Sequence, residues 1–127
     1  MTLPKRRVRQ KMGVKESAKV SCPSHARWVR GFECLGLGKV ATDGPLRGQA
    51  HQCWGRIEAH HATTRGAGGG DDVLVPLCSG LHSQLDSPGW SQPLVERAYG
   101  LDFHKTAAEL WSVSPHGKRY RLEQGEG

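Results

Sequence analysis

The chain has 127 residues, 36% of them hydrophobic and 6% aromatic, and a formal net charge of +6. That length holds one small domain with a modest core, of the kind that gains stability from a metal ion or from disulfides. No apolar run reaches membrane-spanning length and the N-terminus lacks the apolar segment of a secretory signal, a pattern that predicts a soluble, cytoplasmic protein.

The charge is concentrated at the start. Residues 1–20 carry Lys5, Arg6, Arg7, Arg9, Lys11, Lys15 and Lys19 against Glu16 alone, a net +6, so the rest of the chain is formally neutral. With few large apolar side chains the segment reads as a disordered or weakly helical basic arm. Such an arm suits phosphate contacts, with Lys5, Arg6, Arg7, Arg9 and Lys11 as the nucleic-acid-binding candidates. A solubilising or targeting tail is the plainer alternative.

Next, residues 24–30 (Ser-His-Ala-Arg-Trp-Val-Arg) read as a short amphipathic helix with Ser24 as its N-cap. Residues 34–52 are Gly-rich and polar, with a turn at Asp43-Gly44-Pro45, and predict an extended loop. Arg56 to His60 and Val73 to Pro76 are the strand candidates, joined through the Gly66–Gly70 run into a hairpin. Cys78 to Asp86 predicts a short helix ended by Ser87-Pro88-Gly89. A further helix starts at Pro93, carries Leu94, Val95, Ala98 and Tyr99, and stops at Gly100. The last predicted helix, Lys105 to Trp111, turns Ala107, Leu110 and Trp111 inward, and the tail from Pro115 is polar and frayed. Trp28, Trp54, Trp90 and Trp111 are expected to cover the core or the hairpin, with base stacking as the other use for Trp54.

Four cysteines and seven histidines share this short chain. In a reducing compartment stable disulfides are not expected, and the combination points to metal binding, against ordinary buried thiols. His82 and Asp86, four apart, share a helical face. If that helix packs across the hairpin, they meet His60 or His61 at the strand's end. Adjacent strand residues face opposite sides, although a twisted strand end can bring both into one site. Two imidazoles and a carboxylate suit Mg²⁺, Mn²⁺, Ni²⁺ or Zn²⁺, and the remaining imidazole can take a proton from water.

The runs Glu58-Ala59-His60-His61, Arg65-Gly66-Ala67-Gly68-Gly69-Gly70-Asp71-Asp72 and Val75-Pro76-Leu77-Cys78 resemble the HNH endonuclease superfamily, which has the ββα-metal fold. They are most similar to its small phage and prophage members, including the recombination-enhancement nucleases. Gly89 and the later Tyr99-Gly100-Leu101-Asp102 resemble the segment that follows this motif. The similarity spans about residues 24–111, with 53–86 the specific part.

The resemblance implies an α+β chain: a basic arm at 1–20, an HNH nuclease domain at 21–112 with its ββα core at about 53–88, short flanking helices, and a polar tail at 113–127. It implies DNA as substrate, no membrane, and a phage or recombination protein as a possible partner. His60 becomes a metal ligand, His61 the general base, and His82 the helix ligand. Asp86 stands where many relatives have another histidine. Asp72 takes the place of the Asn that pins the turn, and Arg65 contacts the scissile phosphate or is an ordinary surface arginine.

The chain departs from the family in its cysteines. Many relatives hold a structural zinc with two pairs of ligands, but Leu37 and Leu81 stand where a partner of Cys34 and of Cys78 is expected. Cys53 supplies a third ligand and His51, Cys22 or His25 a fourth, with unligated thiols as the alternative. The reading is a metal-dependent DNA endonuclease. Against it stands a catalytically degenerate HNH module that binds DNA in phage packaging or recombination. A zinc-ribbon transcription factor is weaker, because complete Cys pairs are missing.

Overall fold

A computed structural model describes residues 19–125. The two strands are β1 (Ile57–His61) and β2 (Leu74–Cys78). They pair antiparallel, with Ile57 opposite Cys78 and His61 opposite Leu74. The helices are α1 (Pro23–Val29), α2 (Ser79–Leu85), α3 (Gln92–Tyr99), α4 (Phe103–Val113) and α5 (Pro115–Glu123). The class is α+β, and no helix among the described residues is long and apolar enough to cross a membrane.

Every residue of β2 is buried, while β1 is half-buried throughout. That asymmetry follows from sequence: Leu-Val-Pro-Leu-Cys is apolar on both faces, whereas β1 carries Glu58, His60 and His61. Pro76 lacks an amide hydrogen yet sits within β2, which a two-stranded ribbon permits because each strand has a free edge. Its carbonyl is used by the Leu35 amide at 3.0 Å. Val75, Leu77, Leu81, Leu85, Val95, Ala98, Tyr99, Phe103 and Ala107 form the core over this strand.

The hairpin connection depends on glycine. A Cβ on Gly69 would lie 1.8 Å from the Thr63 carbonyl oxygen, and one on Gly70 2.6 Å from the Val20 amide nitrogen. The Gly run therefore lets three backbone segments pass where no side chain fits. Two single 3₁₀ turns, Arg65–Ala67 and Asp71–Val73, occupy the rest of the connection.

Several boundaries differ from the sequence expectations. Ser24 lies inside α1, whose N-cap is Cys22 with Pro23 behind it. Residues 34–52 are not extended: Val40 bridges Ala50, Ala41 donates to Gln49 at 2.9 Å, and His51 donates to Lys39 at 2.8 Å. Backbone hydrogen bonds close that loop without any apolar alternation to announce it. The last core helix starts earlier, at the fully buried Phe103, with Asp102 as its cap. Asp86 is the C-cap of α2 rather than part of its face.

The polar tail is the largest correction. Residues 115–123 form α5, capped by the Ser114 side chain on the His116 and Gly117 amides. It packs on α1 and α4. Ser114 is fully buried, so the folded unit continues past residue 112. At the other end, Lys5, Arg6, Arg7, Arg9 and Lys11 lie outside the described residues.

Candidate metal centre and histidine cluster

Two groups of Cys, His and carboxylate side chains lie along the hairpin, the first at its Ile57–Cys78 end and the second from Glu58 to His61. The first joins Cys34, His51, Cys53 and Cys78, whose ligand atoms all lie within 4.8 Å of one another. Among the described residues it is the one such group of three or more. Cys34 follows α1, His51 and Cys53 close the 39–51 loop, and Cys78 ends β2 at the N-terminus of α2. His51 thus joins the three cysteines, while Cys22 and His25 are elsewhere: Cys22 Sγ lies 3.7 Å from Ser24 Oγ.

The sulfurs are already surrounded by donors. The Gly36 amide reaches Cys34 Sγ at 3.3 Å and the Leu81 amide reaches Cys78 Sγ at 3.3 Å. His51 Nε2 lies 3.4 Å from Cys78 Sγ. Burial opposes ionisation of Cys78, yet the Leu81 and Trp54 amides bring its thiol below the ordinary value. Burial pushes Cys34 and Cys53 the other way, Cys53 with help from the Cys34 thiol. Three thiols so close cannot all ionise without a cation between them. Three sulfurs and one imidazole make a tetrahedral donor set, and these residues fit a bound metal ion.

Gly36 makes the closure possible. A Cβ there would sit 2.9 Å from both His51 Cδ2 and Leu81 Cδ2. The Leu37 and Leu81 departures are also explained. Leu37 is an exposed surface residue and Leu81 a fully buried core residue. The fourth donor arrives instead from His51, across the closed loop.

The second group surrounds His60 and His61. Glu58 and His60 share one face of β1 by alternation. There the His60 and His82 rings sit 4.9 Å apart between centroids. His82 Nδ1 pairs with Glu58 Oε1, whose other oxygen accepts from Ser79 Oγ at 2.8 Å. The hydrogen bonds from His82 and then Ser79 hold the Glu58 carboxyl below its usual range.

The Gln92 side chain sets the His60 tautomer. Its Nε2 donates to the Ala62 carbonyl at 2.9 Å, so its Oε1 must face His60 Nε2, 2.8 Å away. A carbonyl only accepts, so His60 carries its hydrogen on Nε2 and keeps a lone pair on Nδ1. By the same logic a neutral His82 donates from Nδ1 and keeps its lone pair on Nε2. Burial lowers the His60 pKa, with His82 and His61 adding to the effect, so its ring is neutral and able to bind a cation near pH 7.

His61 points elsewhere. Its Nε2 lies 3.3 Å from Asp71 Oδ1, and Asp71 Oδ2 accepts from the Cys22 amide at 2.8 Å. His60 and His61 share no hydrogen-bond partner, as strand alternation predicts. Asp71, not Asp72, is the carboxylate that meets a histidine. Asp72 Oδ1 instead lies 3.1 Å from the Cβ position of Gly70. Asp86 is exposed at the end of α2, and its ligand oxygens do not gather with those of His60 and His82 into a three-donor group. Arg65 is exposed in the turn, where its carbonyl accepts from Lys19 Nζ at 2.7 Å.

Sequence reasoning missed Glu58, Asp71 and Gln92. Glu58 was readable, being two residues before His60 on the same strand face. Gln92 carried no signal, because its role depends on how α3 crosses the hairpin.

No family model matches the chain, and no curated protein or solved structure is significantly similar to it.

Proposed function

We propose that the chain is a metal-dependent DNA endonuclease of the HNH type, with a structural zinc in the Cys34–His51–Cys53–Cys78 centre. One observation carries this reading. Two imidazoles, His60 and His82, stand side by side, each with one nitrogen committed to a protein acceptor and the other available to a cation. Metal-binding histidines are commonly oriented in this way by an outer carboxylate or amide. A half-buried pair kept only for packing would not need Glu58, Ser79 and Gln92 to fix both rings.

In this reading His60 and His82 would hold a divalent cation. Asp86, near enough to act on the His60 charge, adds a carboxylate when the cation is bound. The cation would stabilise charge on the phosphate and on the leaving 3′-oxygen. His61 Nδ1 takes the proton as a water oxygen attacks phosphorus and the bond to the 3′-oxygen breaks. Asp71 keeps that ring's Nε2 hydrogen bonded and its Nδ1 available, as an acid partner orients a histidine base elsewhere. The basic arm supports the same reading. The chain enters the fold beside this site, where the Val20 carbonyl accepts from the Asp71 amide at 2.9 Å. The charges at Lys5, Arg6, Arg7, Arg9 and Lys11 precede this entry point in sequence and suit sequence-independent phosphate contacts.

The separation of Asp86 from the two histidines, and of His61 on the other face of β1, favours a second reading, a degenerate HNH module that binds DNA without cutting it. Supercoiled plasmid distinguishes the two. Wild-type protein with Mg²⁺, Mn²⁺, Ni²⁺ or Zn²⁺ is expected to give nicked circles, and His61→Ala to slow nicking by about 10²-fold or more with DNA binding retained. Plasmid left intact by the wild type with all four cations would overturn the enzyme reading.

A further inference from the structure

On the other side of α2 from His82 lies a cleft of about 250 Å³ that takes no part in the proposed cleavage and borders the Cys/His centre through His51. Gly80 and Gln84, one helical turn apart, line it, whereas His82 is roughly 200° round the helix. Trp54 forms one wall. The residue is 61% exposed, yet its indole lies close against Gly80, where a Cβ would lie 2.4 Å from Nε1. The result is an exposed aromatic ring held against the helix at its Nε1 side. Tyr99 is at the back, and the amides of Gln49 and Gln52 are at the rim.

Two further observations define what fits. The Gln84 Nε2 is buried and has no hydrogen-bond partner among the described residues. Buried donors are nearly always satisfied, so this one, on a residue that lines the cleft, can take an acceptor offered there. Among the described residues no Lys, Arg, Asp or Glu lines the cleft. A phosphate or a charged peptide side chain therefore finds no counter-charge there. A neutral planar ring bearing both donors and acceptors finds a stacking face, a buried donor and two adaptable amides. The cleft is smaller than a typical site for a drug-sized ligand, about 300–1,000 Å³, and suits a single ring system.

We propose that this cleft takes one unpaired nucleobase, stacked on Trp54 with an acceptor atom on the Gln84 amide. The inference rests on the nucleic-acid part of the reading above and deepens it: the preferred DNA carries an unpaired base away from the bond that is cut. Stacking on an exposed aromatic tolerates any base, which fits a cleft whose remaining contacts are flexible amides.

The test uses full-length His61→Ala protein, so that strands stay intact, and a short labelled single strand. Its binding is compared with that of an abasic strand of equal length and charge, by fluorescence anisotropy at low and raised salt. The base-bearing strand is expected to bind about tenfold or more tightly than the abasic one. Trp54→Ala and Gln84→Leu should each shrink that preference, and Trp54→Phe should keep most of it, with zinc content equal in all variants. Equal binding of the two strands, or a preference that survives both Trp54→Ala and Gln84→Leu, overturns the base site alone. Binding of neither strand overturns the nucleic-acid reading with it.

Discussion

His25 shows how one buried residue ties two ends of the chain together. It is fully buried, packed between the Trp28 and Trp111 rings, with Nδ1 2.9 Å from Ser114 Oγ. Its Nε2 has no hydrogen-bond partner among the described residues. Burial pulls its pKa from 6.5 to about 4, outweighing the attraction of Asp71 and Asp72 and helped by His116. The unfolded chain takes up this proton near 6.5 and the folded chain only near 4, so the unfolded state binds more protons in that interval. Stability is complete above the upper value and falls as pH drops towards the lower, by an amount on the order of 3 kcal/mol. Urea midpoints measured from pH 7 to 4 should show this loss, and His25→Phe should flatten it. A wild-type midpoint that stays level over that range contradicts the neutral, buried ring. In sequence His25 looked like a surface residue or a fourth metal ligand. Its actual neighbours lie about ninety residues away, and no local pattern could name them.

At the scale of elements, the strand pair and α2 and α3 were legible because each has a local cause. Apolar β2 needs cover, Ser91 and Pro93 start α3, and Gly100 adopts φ 67° to end it. Helix α5 was not legible, because its residues are polar and its face is set by α1 and α4 rather than by periodicity. Its start nevertheless carried a signal, Ser114 followed by Pro115, a side-chain cap before a residue suited to the first turn. Gly117 lets α5 close on α4, since a Cβ there would meet the Trp111 carbonyl oxygen at 2.8 Å. Ser114 serves both roles, capping α5 and meeting His25. Ser114→Ala should therefore cost more than an exposed cap, about 2–3 kcal/mol. Chemical denaturation would check it, and a loss within about 0.5 kcal/mol would mean that α5 contributes little to the fold.

At the scale of the molecule, the hairpin carries two groups of side chains. One gathers three thiols and an imidazole at its Ile57–Cys78 end. The other runs along β1, with His60 and Glu58 facing His82 and with His61 meeting Asp71 where the chain enters the fold at Val20. The histidine motif was legible because its residues are close in sequence. The Cys/His centre was only partly legible: three of its donors could be named and His51 was one of three candidates for the fourth, a choice that depends on a closed loop that hydrogen bonds, not apolar residues, hold together. A core this small gains from a bound ion. We propose that the two groups bind metal independently, zinc for the fold and a second cation for phosphodiester hydrolysis. Zinc per chain, measured on purified full-length wild type, Cys53→Ser and His60→Ala, tests it most directly. We expect one zinc in the wild type, one in His60→Ala, and little or none in Cys53→Ser. Zinc absent from the wild type, or lost with His60 and kept without Cys53, would contradict it.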